Sequence, residues 1–179
     1  MSTRRRLLVF VLALALAGST LGAQPATVPE YSAKAGFLTT IARYTTWPPE
    51  AFASPDAPIV IGVLGADPFG DTLTMTAAAS RGGRPIQVRR LRAPRDADGV
   101  HIVFIGKGES RNEALWIAAI KDKPVLTVGE SGETLTRGGI LEFIRVQDKI
   151  GFAVNLPAAQ QAGLRLSSDL LAHARRVTQ

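Results

Sequence analysis

Three stretches of this chain hold residue types that could do chemistry. The first is Gly65-Ala66-Asp67-Pro68-Phe69-Gly70, which follows an apolar run. A phosphate cradle needs closely spaced glycines and free backbone N–H groups leading into a helix. Pro68 removes one donor, and the spacing fits neither nucleotide fingerprint. The stretch therefore reads as a tight strand-to-helix turn, with Phe69 packing on the domain. The second is Gly129-Glu130-Ser131-Gly132-Glu133, a near miss to a nucleophile elbow. Its second glycine is misplaced, and residues 134–139 read as loop where the elbow needs a helix. Only His101 and His173 could serve as base, one opening a core strand and the other on the terminal helix. The third is basic: Arg81, Arg84, Arg89, Arg90, Arg92 and Arg95 fall within 15 residues. Such a run could meet an acidic partner or anionic headgroups. It also suits an edge strand guarded by charge, and that reading is preferred.

No cysteine is present, which removes thiol catalysis, thiolate metal sites and disulfide redox sensing. Two distant histidines make no metal cluster, and no acidic loop has calcium-binding spacing. The Arg-Gly-Gly triplets at 81–83 and 137–139 precede strands and read as turns. We expect no catalytic residue, no cofactor and no metal.

The elements that position these stretches alternate in type. A helix is predicted from Glu30 to Tyr44, with Tyr31, Ala35, Leu38 and Ile41–Ala42 at helical spacing, ended by Trp47-Pro48-Pro49. Strands are predicted at 59–64, 85–91, 100–105 and 124–128, the continuous apolar ones buried on both faces. A weak helix at 71–79 and an amphipathic one at 109–121 lie between them. Strands 140–146 and 149–155 are joined only by Gln147-Asp148, which demands an antiparallel hairpin. A helix from Pro157 and a last one capped by Ser167 or Ser168 complete the chain. The expected fold is α/β: a single three-layer domain with a mixed, mostly parallel sheet of about six strands, flanking helices and a C-terminal antiparallel hairpin.

Tyr44, Trp47, Pro48 and Phe52 cluster at the exit of the first helix. They read first as a hydrophobic lid over the core; the alternative is that, together with Phe69, they are partner-binding residues, since Trp and Tyr are favoured at interface anchors.

Residues 1–23 read as a secretory signal peptide. Arg4, Arg5 and Arg6 lead an uncharged run from Leu7 to Ala17, and small residues follow, with cleavage expected after Gly22 or Ala23. The remainder, 24–179, is one domain in size. Of the formal charge of +6, the three leader arginines carry half, so the rest is too weakly basic to suggest nucleic-acid binding. A periplasmic location is expected.

From Tyr31 onward a series of short motifs resembles the YfiR-like periplasmic proteins. It runs through Tyr31-x-x-Lys34-Ala35-x-Phe37-Leu38, Trp47-Pro48, Val63-Leu64-Gly65-x-Asp67-Pro68-Phe69-Gly70 and Gly83-Arg84-Pro85. It continues with Val103-Phe104-Ile105-Gly106, Val125-Leu126-Thr127-Val128-Gly129, Gly138-Gly139-Ile140 and Phe152-x-Val154-Asn155. It closes with Gly163-Leu164-Arg165-Leu166-Ser167-Ser168-x-Leu170-Leu171. The resemblance implies a non-enzymatic regulator that binds and restrains an inner-membrane signalling protein, a diguanylate cyclase or sensor kinase. Its output would be cyclic-di-GMP signalling and biofilm formation, and a homodimer is implied. Redox control does not carry over, because the disulfides of the best-known relative are absent. A periplasmic small-molecule-binding sensor module is the alternative, with a ligand at the carboxyl ends of the strands.

Overall fold

The computed structural model describes residues 28–178; the expected signal segment lies outside them. α1 (Val28–Arg43) leads through β1 (Thr45–Thr46) to β2 (Ile59–Leu64). Then follow α2 (Thr72–Ala79), β3 (Ile86–Leu91), β4 (Ile102–Ile105), α3 (Glu113–Ile120) and β5 (Leu126–Gly129). β6 (Leu141–Val146), β7 (Lys149–Asn155), α4 (Leu156–Gln161), β8 (Arg165–Leu166), α5 (Ser168–His173) and β9 (Arg176–Thr178) complete the chain. No helix among the described residues is long and apolar enough to cross a membrane.

The main sheet has seven strands in the order β3-β2-β4-β5-β6-β7-β9. β3, β2, β4, β5 and β6 are mutually parallel, β7 turns back antiparallel on β6, and β9 runs parallel to β7. This is the expected mixed α/β sheet with its hairpin, extended by one strand. β9 escapes a sequence reading because Arg-Val-Thr is too short to show alternation. A second, two-stranded sheet pairs Thr45 with Leu166 and so ties the exit of α1 to the end of the chain.

Alternation along the central strands divides the interior into two layers. Ile59, Ile61 and Val63 of β2, Ile102 and Phe104 of β4, and Leu126 and Val128 of β5 face one side, where Ala35, Leu38 and Ile41 of α1 and Leu73 of α2 cover them. Leu64, Val103 and Ile105 face the other and meet Trp116, Ile117 and Ile120 of α3. Gly62 faces this second side, and a Cβ there would lie 2.5 Å from Leu91 Cδ1. The edge strand can approach β2 closely only because residue 62 has no side chain.

α3 begins later than its apolar pattern suggests. Glu109 closes a 3₁₀ turn that starts at Lys107, residues 110–112 form a turn, and the helix itself begins at Glu113. The closing helices follow their caps: Asn155 Oδ1 accepts from Ala158 N at 3.2 Å, and Ser167 Oγ accepts from Leu170 N at 3.1 Å.

Candidate functional site

Ligands of open α/β sheets gather beyond the carboxyl ends of the parallel strands, and here that edge holds the densest buried charge in the described chain. β5 ends at Gly129, so consecutive residues Gly129 and Glu130 turn to opposite sides of the sheet. Each side carries its own polar cluster.

On the α1 side, Glu130 is buried and its carboxylate is fully engaged. Oε1 accepts from Tyr31 Oη at 3.1 Å and from the Lys107 backbone N–H at 3.0 Å. Oε2 is ion-paired with Lys34 Nζ, and both side chains are only 2% exposed. Lys34 also pairs with Glu30 Oε1 one helical turn earlier, at 2.5 Å, while Glu30 Oε2 takes Arg145 Nη2 from β6 at 2.7 Å. The Lys34 ammonium also sits 4.6 Å from the Tyr31 ring centroid. Four charged groups from α1, the end of β5 and β6 thus meet in one alternating chain.

Burial alone would disfavour ionised Glu30, but hydrogen bonds from Lys34 and Arg145, and the charges of Lys34 and Lys107, hold its carboxyl below the usual range. Tyr31 is driven the other way: burial first, then the Glu130 charge, push its phenol well above the ordinary value. It stays a neutral donor.

Beside this chain lies a cavity of about 290 Å³. Glu30, Lys34 and Glu130 form its polar wall, Phe143 and Ile150 its apolar wall, and Lys107 and Arg145 also line it. The last two are exposed.

On the α3 side, Glu113 is fully buried and accepts from Thr134 Oγ1 and Ser131 Oγ, each at 2.6 Å, and from Arg137 Nη1 at 2.7 Å. Glu142, also buried, accepts from Thr134 N at 2.9 Å. These bonds shape the crossover from β5 to β6, which spans residues 130–140 without a helix. The Ser131 hydroxyl is oriented by a carboxylate, and neither histidine is among its partners.

The five aromatic-cluster residues do not share one surface. Trp47 is buried, donates Nε1–H to His101 O at 3.2 Å, and meets Phe52 edge to face. Phe52 stacks on His101 at 4.4 Å and carries the Arg84 guanidinium 3.8 Å above its ring. This group closes the amino end of β4, with Pro48 half-buried beside it in sequence. Phe69 lies at the opposite, carboxyl end, buried between Tyr31 and Phe104. Tyr44 is 41% exposed and lines a separate apolar groove with Phe37, Phe152 and Leu170.

His101 Nδ1 accepts from Val60 N at 3.1 Å, whereas the buried Nε2 has no hydrogen-bond partner. Burial, and secondarily the charges of Arg84 and Arg89, lower its pKa despite a favourable contribution from the Ala51 backbone. The ring is held neutral.

Sequence reasoning missed Glu30, Tyr31, Lys34, Glu130 and Arg145 as a unit. One signal was available: Lys34 falls within the apolar stripe of its helix, where a cation must find partners.

Among the described residues no group of histidines and carboxylates could hold a metal ion. Fold and site define a small three-layer α/β domain with an ionic lock and a cavity at the carboxyl edge of its sheet. Residues 31–175 match the profile of the DUF4154 family, described as YfiR/HmsC-like, and the chain belongs to that family. No curated protein sequence matches it. Among solved structures it is similar to a conserved domain protein from Vibrio cholerae, with TM-score 0.61 and 13% identity over 83% of this chain and 60% of that one. It is also similar to an ABC domain in complex with L-Trp from Streptococcus pneumoniae, with TM-score 0.54 and 12% identity over 80% of this chain and 60% of that one. The chain therefore spans three fifths of each structure, and the likeness is one of fold.

Proposed function

We propose that this chain is a periplasmic regulator that binds the periplasmic region of an inner-membrane diguanylate cyclase or sensor kinase and restrains its output. The family match over residues 31–175 carries this reading, because the family is consistent with periplasmic regulation of cyclic-di-GMP signalling. The protein acts as a homodimer without chemistry of its own. Of the aromatic candidates, Tyr44 and Phe52 retain exposed surface for a partner, while Trp47 and Phe69 support the fold from within. Deleting the gene should raise cellular cyclic-di-GMP and surface attachment, and a tagged chain should co-purify with a membrane cyclase or kinase. Unchanged cyclic-di-GMP together with no such partner would refute the reading.

A second reading, a sensor of a small molecule, is favoured by the cavity at the carboxyl edge. At about 290 Å³ it is near the lower limit for small-molecule sites, and a structural neighbour is described in complex with L-Trp. A thermal-shift screen of amino acids and related metabolites tests it. A ligand at 100 times its dissociation constant stabilises by about 2.7 kcal/mol, and a flat screen removes those compounds.

A further inference from the structure

The arginine-rich strand is an unfinished ladder. β3 pairs on one side with β2 and ends the main sheet on the other. Ile59 N donates to Pro85 O at 2.8 Å and Gly65 N to Leu91 O at 3.3 Å. Backbone groups alternate in direction along a strand. Pro85, Gln87, Arg89 and Leu91 therefore turn theirs toward β2, while Ile86, Val88 and Arg90 turn N–H and C=O outward. Those outward groups have no backbone partner among the described residues.

Charge surrounds this edge and is only partly answered: Asp67 pairs with Arg90, and Asp96 lies within the field of Arg95 and Arg89. Among Arg84, Arg89, Arg90, Arg92 and Arg95, only Arg90 is ion-paired, to Asp67. Arg89 spends its guanidinium on the Asp98 carbonyl, and Arg84 on the carbonyls of Pro55 and Ala57. Of the nearby acids, Asp98 is taken by Lys123 and Asp96 accepts from the backbone of Arg92 and Ala93.

We propose that the open edge of β3 is a docking site for an extended acidic segment of a partner protein, which adds as a further strand at Ile86, Val88 and Arg90 with its carboxylates against the surrounding arginines. Two copies of β3 cannot pair edge to edge without opposing arginines, so the charge that blocks self-association selects an acidic strand. A lipid surface would answer the charge but leave the outward N–H and C=O groups unused; a strand answers both. This deepens the partner-binding reading and rests on it only for the partner's identity.

The probe is a short fluorescein-labelled peptide of alternating valine and glutamate, titrated into the purified chain and followed by anisotropy, beside its valine–lysine counterpart. The acidic peptide should bind, weaken with salt, and slow amide exchange at Ile86, Val88 and Arg90; the lysine peptide should not bind. Val88→Pro removes one outward N–H without touching the β2 ladder, a placement that edge strands tolerate. It should weaken binding about tenfold or more, equivalent to about 1.4 kcal/mol, beyond the small drop in urea midpoint that a Val88→Ala control shows for the lost packing of this half-buried side chain. Paired Arg89→Ala and Arg92→Ala substitutions should weaken it through charge alone. No binding, no exchange protection, or binding indifferent to Val88→Pro would overturn the proposal. So would capture by phosphatidylglycerol vesicles in place of the peptide. These readouts use the isolated chain, so their failure is separable from failure of the cyclic-di-GMP experiment.

Discussion

Lys34 and Glu130, 96 positions apart in the chain, form an ion pair in which each side chain is only 2% exposed. Two buried charges are tolerated only when their remaining hydrogen-bonding capacity is filled. Glu30, Tyr31 and the Lys107 backbone fill it here.

Removing the cation should therefore be severe. Lys34→Met leaves Glu30 and Glu130 facing each other across an apolar gap and should cost about 3–5 kcal/mol of unfolding free energy. Adding Glu130→Gln should restore part of that loss. Urea denaturation of the single and double variants measures both, and a single-variant loss below about 1 kcal/mol would contradict the ionic lock.

The second cluster should show a graded response. Arg137→Ala strips the charge partner from fully buried Glu113 and should cost about 2–3 kcal/mol. Ser131→Ala removes one neutral donor and should cost about 1 kcal/mol. Equal losses in the two variants would argue against a charge-centred network.

Two glycines should respond with opposite sign. A Cβ on Gly129 would lie 2.1 Å from Thr134 Oγ1 and 2.5 Å from Glu113 Oε1, so Gly129→Ala should destabilise by about 3 kcal/mol through overpacking. Gly36, inside α1, has nothing within 4 Å of a Cβ. Gly36→Ala should stabilise by about 0.5–1 kcal/mol through helix propensity and a less flexible unfolded chain. Midpoints from thermal or urea unfolding decide both.

His101 makes stability depend on mildly acidic pH. Its folded pKa lies below the ordinary value of 6.5, so the unfolded chain binds the proton first. Its contribution is present above about pH 6.5 and fades as pH falls through the lowered folded value. Glu30 has the same sign but acts below its ordinary value of 4.5. Unfolding free energy measured from pH 7 to 5 should fall less in His101→Gln than in the parent. Parallel curves would show that His101 is not held neutral.

Much of the framework was legible because buried strands announce themselves as apolar runs. β2 and β7 fall on their predicted ranges, β3, β4, β5 and β6 start one or two residues late, and β5 also runs one residue further. The charge lock was not legible as a unit, because only its Glu30–Lys34 pair is local, while the Lys34–Glu130 and Arg145–Glu30 pairs form through tertiary contact. Glu130, directly after a buried strand, reads in isolation as an ordinary loop carboxylate. The aromatic candidates failed to form one surface for a related reason. Tyr44, Trp47 and Phe52 are neighbours in sequence, yet the turn after α1 sends Trp47 inward against His101 and leaves Tyr44 outside.

The joining of α1 to late parts of the chain has a consequence for assembly. The first helix finds its charge partners at positions 130 and 145, and its exit strand pairs with residues 165 and 166. A chain cut short before Glu130 lacks one of the two carboxylates that bracket Lys34, so its leading helix cannot complete its buried ion pairs however well the earlier strands have formed. Such long closures slow folding, and the docking of α1 must wait for chain made about a hundred residues after it.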